Sequence, residues 1–352
     1  MENVLIQGII LLFSSLSFTL TTVLIWFYAE RKIAAFFQDR YGPLHVGKAG
    51  LLQPVADLLK LIQKETIVHS GARKKMFIMA PLLVFTAVFS GFARVPLFPF
   101  GTGFSQIPGG IMILMGLISI ESVAILMAAY ASKSQFPLLG AGRAIAQMVS
   151  YEVPLAISLI CFFWISDTCS LQEIEALQLA GPGPSAALGW PLQSLGLAEI
   201  GGIFSWNILR CPVLILLLPG FFLSILAESN RAPFDIPEGE SEIIGGYHTE
   251  YSGFLWSVFF LAEYALMLIL SLVLVFLFLG GKASPIPRFG ALQFLSEPHF
   301  LWMVIKTWTL GLLMIWIRWT LPRLRADQLM GLCWKVLTPI SLLVLGFVLI
   351  FG

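Results

Sequence analysis

The chain has 352 residues, of which 58% are hydrophobic and 12% charged, and a formal net charge of +1. A soluble domain carries about 25% charged residues, and no soluble fold of this length has enough interior to hide so much apolar surface, so lipid must cover much of it. The near-zero net charge argues against a nucleic-acid partner.

A membrane-spanning helix needs about 20 mostly apolar residues. Eight segments qualify, over 4–28, 77–98, 110–131, 144–165, 208–228, 254–279, 300–321 and 334–351. The first has no basic residues before it and no clear cleavage site, and is read as a retained helix. Segment 50–65 is too short to span. It places Leu51, Leu52, Val55, Leu58, Leu59 and Ile62 at helical spacing, with Gln53, Asp57, Lys60 and Lys64 elsewhere. That pattern predicts an amphipathic helix at the interface or against the bundle. The expected fold is therefore an all-α integral membrane protein, one membrane domain over 1–352, of about eight spanning helices plus one interfacial helix.

Of the 21 Lys and Arg residues, 14 fall in the loops after the first, third, fifth and seventh helices, about 29–76, 132–143, 229–253 and 322–333, and Arg318 and Lys335 flank the last of these, which makes 16; only Arg210, Lys282 and Arg288 fall on the other side. The positive-inside rule puts those loops in the cytoplasm and both termini outside. The outer segment 166–207, rich in Gly, Pro and Ala, reads as a passive connection. No internal repeat is present, which argues against an inverted-repeat transporter. The four cysteines, Cys161, Cys169, Cys211 and Cys333, form no CxxC pair and the four histidines are scattered, so no metal or iron–sulfur site is expected in this chain.

Charge inside a span is costly and needs a reason. Glu121, Glu152 and Glu263 lie within spans, and Glu228 closes the fifth. The loop that follows, ESNRAPFDIPEGESEIIGGYHTEY, sets Glu228, Asp235, Glu238, Glu240, Glu242 and Glu250 against one Arg231. A solvated acidic turn would not need the interleaved Phe234, Ile236, Ile243, Ile244 and Tyr247, nor the fixed path that Pro233, Pro237 and Gly239 suggest. Carboxylates crowded in a low dielectric hold protons near neutral pH, which is what a proton relay requires. The structural alternative is that neighbouring hydroxyls satisfy the embedded carboxylates: Ser150 and Tyr151 adjoin Glu152, and Tyr264 follows Glu263. Arg94 and Glu121, on consecutive antiparallel helices, are a candidate structural ion pair.

Four stretches carry a resemblance. AERKIAAFFQDRYGP followed by GLLQPVADLLKLIQKE, GRAIAQMVSYEVPL, AESNRAPFDIPEGESEIIGGYHTEYSG and IRWTLPRLRADQLMGLCWK occur in order along nearly the whole chain. Together they resemble the H-subunit (subunit 1) family of proton-pumping NADH:quinone oxidoreductase, respiratory complex I. The resemblance implies a multi-pass subunit of the bacterial inner membrane, at the joint between redox arm and pumping arm. It implies partners in the peripheral-arm quinone-site subunits, small membrane subunits and antiporter-like subunits. Isoprenoid quinone would be substrate, and NADH, FMN and iron–sulfur clusters would belong to partner subunits, with no cofactor bound by this chain. Carried over by position, Glu30, Arg31, Arg40, Lys60 and Arg231, with Phe234 and Tyr247, would line or anchor a quinone chamber. Glu152, Glu228 and Glu263 would form the membrane-embedded relay. Asp235, Glu238, Glu240, Glu242 and Glu250 would couple quinone chemistry to it. Glu121 is not carried over from the family; its charge within a span is read as an extension of the relay, the alternative to the pair with Arg94. Arg143, Arg318, Arg323, Arg325 and Asp327 would be structural or coupling charges. Leu44 and His45 after Pro43, and Ala326 before Asp327, depart from the family pattern, as do Glu121 and Arg94. A related membrane-bound hydrogenase anchor, a free-standing ion transporter and a scaffold are the competing readings.

Overall fold

A computed structural model describes residues 2–97, 109–179, 202–237, 239, 243–287 and 296–351. It begins with α1, Glu2–Phe37, whose 36 residues exceed what a hydrocarbon core of about 30 Å requires. The helix therefore runs on past the expected span into the first basic loop. Tyr28 Oη donates to Ala49 O at 3.0 Å and Lys32 Nζ to Pro43 O at 3.0 Å, folding that loop back on the helix. The interfacial helix forms as α2, Gln53–Gln63, with Pro54 in its first turn, where a missing N–H does no harm. Its apolar side divides: Leu58 faces the bundle, while Leu51, Leu52, Val55, Leu59 and Ile62 are exposed.

Next come α3 (Lys74–Gly91), α4 (Gly110–Ser132) and α5 (Gln135–Ser166). Helix α5 is long enough to span the membrane and still carry 135–143 into the loop region. The expected fifth span divides into α7 (Asn207–Arg210) and α8 (Leu214–Glu228). Pro212 explains the break, since it lacks the N–H a continuous helix would need there. Segment 166–207 is not merely a passive connection, because it includes a further helix, α6 (Leu171–Leu179), packed on the bundle.

Helix α9, Gly253–Phe278, is the axis of the fold. Every residue from Ala262 to Phe278 is buried, as expected of a helix apolar all round. It packs against α1, α2, α3, α6, α8 and α10 (Phe300–Thr320). Gly311 of α10 lies directly on the indole of Trp26, with no room for a side chain between them. The last span starts earlier than expected, as α11 (Ala326–Leu332), and reaches α12 (Thr338–Phe351) through a π-helical stretch at Cys333–Leu337. Pro339 accounts for that widening, because its ring displaces the carbonyl one turn back. Seven of the described helical segments are long and apolar enough to cross a membrane; α8, at 15 residues, is the shorter eighth.

Candidate functional site: an apolar cleft beside a carboxylate cluster

A cleft of about 220 Å³ opens between α1, α2 and α9. Its wall is largely apolar and includes Leu24, Phe27, Leu58, Leu61, Trp256 and Phe260. Its charged part is Arg31 and Asp57, paired at 2.5 Å and both partly exposed. Such a wall suits a flexible apolar chain with a polar contact at one point.

Behind Phe260 lies a buried charge cluster. Glu30, at the end of α1, is bonded by Arg318 of α10 through one oxygen and by the Tyr264 hydroxyl through the other. Arg231 Nη1 stands 3.6 Å from the same carboxylate and 3.3 Å from Tyr264 Oη. The guanidinium is only 6% exposed, with its carbon 3.9 Å from the Tyr264 ring centroid and 5.9 Å from that of Phe260. A buried Arg is tolerated when paired and stacked in this way. The cluster ties three segments to α9: the end of α1, the acidic loop and α10.

One residue earlier on α9, Glu263 has different partners. Tyr247 Oη donates to Glu263 Oε1 at 2.7 Å, and His248 Nε2 lies 3.1 Å from the same oxygen. Both come from the 3-10 turn Gly246–His248, which meets α5 backbone to backbone. A Cβ on Gly140 would come within 2.7 Å of Gly246 Cα. Across the bundle, Ser119 Oγ of α4 donates to Glu152 Oε1 of α5 at 2.7 Å. Glu228 is 1% exposed and neither carboxylate oxygen has a hydrogen-bond partner. Glu121 Oε2 is likewise buried without a partner. Glu121 neighbours Glu263, and Glu228 neighbours both Glu152 and Glu121. Gln147 Nε2 donates to Ala227 O at 2.7 Å and approaches Asn230 Oδ1 at 3.3 Å, holding α5 against the end of α8. Four embedded carboxylates from α4, α5, α8 and α9 thus share one interior region.

The hydroxyls beside these carboxylates in sequence do not serve them. Ser150 Oγ turns to Ala146 O at 2.7 Å and Tyr151 Oη to Leu329 O at 3.0 Å. Tyr264 bonds Glu30 and not Glu263. Nor do Arg94 and Glu121 form the anticipated pair. Arg94 lies in a 3-10 turn past the far end of α3, and Glu121 sits midway along α4.

Among the other anticipated residues, Phe234 is buried against Tyr151, ring centroids 5.5 Å apart, and Asp235 is half-buried beside it. Arg323 donates to Ile236 O at 3.0 Å and Leu324 N–H to Pro233 O at 3.0 Å, so the last basic loop closes over the acidic one. Glu250 stands 3.9 Å from His69. Arg40, Lys60, Arg143, Arg325 and Asp327 are exposed. Glu238, Glu240 and Glu242 lie outside the described residues. Of the residues expected to line a chamber, Arg31 is on the cleft wall, while Glu30 and Arg231 sit behind it. Tyr264, His248, Ser119, Gln147 and Asp57 complete the site and were not among the expected site residues. Only Asp57 had a usable signal, since it lies on the polar side of a predicted amphipathic helix close to basic residues of the same loop. Among the described residues, no three His, Cys, Asp or Glu side chains come together as a metal ion would require.

The chain matches the family model described as NADH dehydrogenase over residues 9–349. It is 44% identical over 346 residues to the H subunit 2 of the NADH-quinone oxidoreductase of Cytophaga hutchinsonii, covering 92% of this chain and 94% of the relative. It is 44% identical over 321 residues to the NADH-quinone oxidoreductase H subunit of Chlorobaculum parvum, covering 90% and 84%. The corresponding H subunit of Rubrobacter xylanophilus is 40% identical over 315 residues, covering 90% and 86%.

Proposed function

The chain belongs to the NADH dehydrogenase family, as an H-type membrane subunit of an NADH-quinone oxidoreductase with other subunits of that complex as partners, and on that premise we propose that it admits the quinone through the α1–α2–α9 cleft and passes the consequence of its reduction to the embedded carboxylates. The observation that carries this reading is the continuity along α9. Phe260 lines the cleft, Tyr264 belongs to the charge cluster behind it, and Glu263 belongs to the carboxylate group. The cleft residue Phe260 and the carboxylate Glu263 are three residues apart on one helix, and the charge-cluster residue Tyr264 adjoins Glu263.

The chemistry follows from that arrangement. Reduction of a quinone to a quinol takes up a pair of electrons, supplied by partner subunits, and a pair of protons. The isoprenoid tail lies along the apolar wall, where burying it is favourable by roughly 25 cal/mol per Å². Charge that appears on the headgroup side is felt by the Arg231–Glu30–Arg318 cluster, in which Arg231 is buried and Glu30 and Arg318 are partly so, which weakens screening. Any shift of that cluster moves the acidic loop, which holds Arg231 at one end and the Glu263 partners Tyr247 and His248 near the other. Neighbouring carboxylates in a low dielectric share protons, because ionising one opposes ionising the next. Glu263, Glu121, Glu228 and Glu152 then relay protons laterally toward partner subunits, with Asp235, Glu238, Glu240, Glu242 and Glu250 feeding them from the loop. The basic loops face the cytoplasm of a bacterial inner membrane and both termini face outside.

Tail length provides the test. Leu61→Trp fills part of the cleft while leaving the charge cluster untouched. The KM for a long-tailed quinone should rise about tenfold, as expected for a loss on the order of 1.4 kcal/mol, with little change for a short-tailed analogue. An equal effect on both, or none on either, would contradict entry through this cleft.

A further inference from the structure

Lys306 is a buried charge with no part in the site above. It lies on α10 and is 8% exposed, at the end of the bundle opposite the acidic loop. Its ammonium donates to Leu279 O at 2.6 Å, Gly281 O at 3.1 Å and Ala283 O at 2.6 Å, and stands 4.4 Å from the Trp206 ring centroid. These carbonyls belong to the end of α9 and the turn after it. The last carbonyls of any helix lack partners within it, so a donor here is expected. A charged donor is not, because neutral ones suffice one step earlier. Gln178 Nε2 donates to Phe276 O at 2.8 Å and Asn207 Nδ2 to Leu277 O at 2.9 Å.

Nor is Lys306 there to pair with an acid. The nearby Glu175 is engaged by Lys282, whose N–H donates to Glu175 Oε1 at 2.8 Å and whose Nζ lies 3.9 Å from Oε2. Burial pushes the Glu175 carboxyl above its ordinary value, and Lys282 is the principal group drawing it back, ahead of Lys306. The charge of Lys306 is thus met chiefly by carbonyl dipoles. Between it and Glu263, α9 carries an apolar, buried stretch from Ala265 to Phe278. Its one polar side chain is Ser271, whose hydroxyl is bonded to Met267 O at 2.7 Å.

We propose that the carbonyl-caged ammonium of Lys306 is an electrostatic barrier that keeps protons from the carboxylate region from crossing this subunit to the opposite face. A fixed positive charge at the mouth of an apolar stretch repels a proton by the same physics that excludes protons and cations from neutral-solute pores. Dipoles hold the charge in place without neutralising it, which a carboxylate partner would do. The subunit would then pass protons sideways and remain tight across its own width. The proposal rests on the coupling reading only for the origin of the protons.

The test is passive proton flux into proteoliposomes holding the whole complex, under an imposed potassium diffusion potential and without electron donor. Lys306→Gln keeps two N–H donors for the carbonyls and removes the charge. Lys306→Arg keeps the charge, and Gln178→Ala removes a neutral cap nearby. The expected result is leak severalfold above wild type for Lys306→Gln, with the other two as tight as wild type. Wild-type tightness in Lys306→Gln overturns the barrier. Equal leak in Gln178→Ala also overturns it, as does failure of both lysine variants to assemble, since each assigns Lys306 to capping alone. Because the flux is measured without turnover, it can fail while the coupling reading stands, and the reverse.

Discussion

Glu263 and Tyr264 are consecutive on α9 yet bond to different parts of the site, Glu263 to Tyr247 of the acidic loop and Tyr264 to Glu30 of α1. Successive side chains on a helix diverge by about 100°, so one turn of a buried helix faces two clusters. The charge cluster behind the cleft and the carboxylate group therefore meet at consecutive residues of one helix.

Removing one link on either side should give separable defects. In Tyr247→Phe, Glu263 loses its 2.7 Å donor and keeps His248. A hydrogen bond to a charged group contributes about 1.5–3 kcal/mol. The expected outcome is a reduced ratio of protons moved to quinone reduced, with reductase activity largely kept. Tyr264→Phe should instead lower the reductase rate itself. Parallel assays of NADH oxidation and dye-reported proton uptake in proteoliposomes distinguish the two. Identical profiles for both variants would contradict the division of labour.

Glu30→Gln leaves Arg231 and Arg318 facing a neutral amide. Arg231 is nearly fully buried, and breaking a buried pair typically destabilises by about 3–5 kcal/mol. Partial exposure of Arg318 places the expected loss at the lower end of that range. Thermal inactivation of the quinone reductase should shift down by several degrees, whereas Asp57→Asn, which breaks a partly exposed pair, should shift it little. Comparable shifts for both would remove the case for a special role of the buried cluster.

Glu121→Gln removes one protonatable carboxyl from the group it forms with Glu263 and Glu228 without changing volume. If Glu121 belongs to the relay, pumping falls while assembly and quinone reduction are retained. Wild-type pumping in this variant would confine Glu121 to a structural role.

Gly140→Ala forces a methyl group against the backbone of Gly246. Overpacking of this kind costs about 1–3 kcal/mol, and the part that yields is the turn carrying Tyr247 and His248. The predicted result is partial uncoupling resembling Tyr247→Phe, with faster hydrogen exchange at residues 243–250. Gly142→Ala, where a Cβ meets nothing within 4 Å, serves as the silent control. Uncoupling in Gly142→Ala, or none in Gly140→Ala, would count against the loop contact.

Most of the fold is legible in the sequence because apolar run length and Lys/Arg placement are local signals. The interfacial helix is legible for the same reason, through its spacing. What escapes is set by distant contacts or by prolines inside apolar runs. Pro212 divides an apparently continuous span, and Pro339 widens another. Segment 166–207 looks featureless, yet Glu175, Gln178 and Asn207 find partners near the end of α9, 107, 98 and 70 residues later in the chain. In the site, the embedded carboxylates announce themselves by their cost. Their partners do not, since Ser119, Tyr247 and His248 become significant only once helices meet. Adjacency in sequence misleads here, as Ser150, Tyr151 and Tyr264 all turn away from the carboxylates beside them.

The most direct measurement is the number of protons translocated per quinone reduced by the Glu228→Gln complex in proteoliposomes. Glu228 is the embedded carboxylate whose two oxygens have no hydrogen-bond partner, so a neutral amide of the same shape should leave the structure intact. The expected result is a normal amount of assembled complex, quinone reduction within a fewfold of wild type, and a clearly lowered proton-to-quinone ratio. A wild-type ratio at an undiminished rate would contradict it.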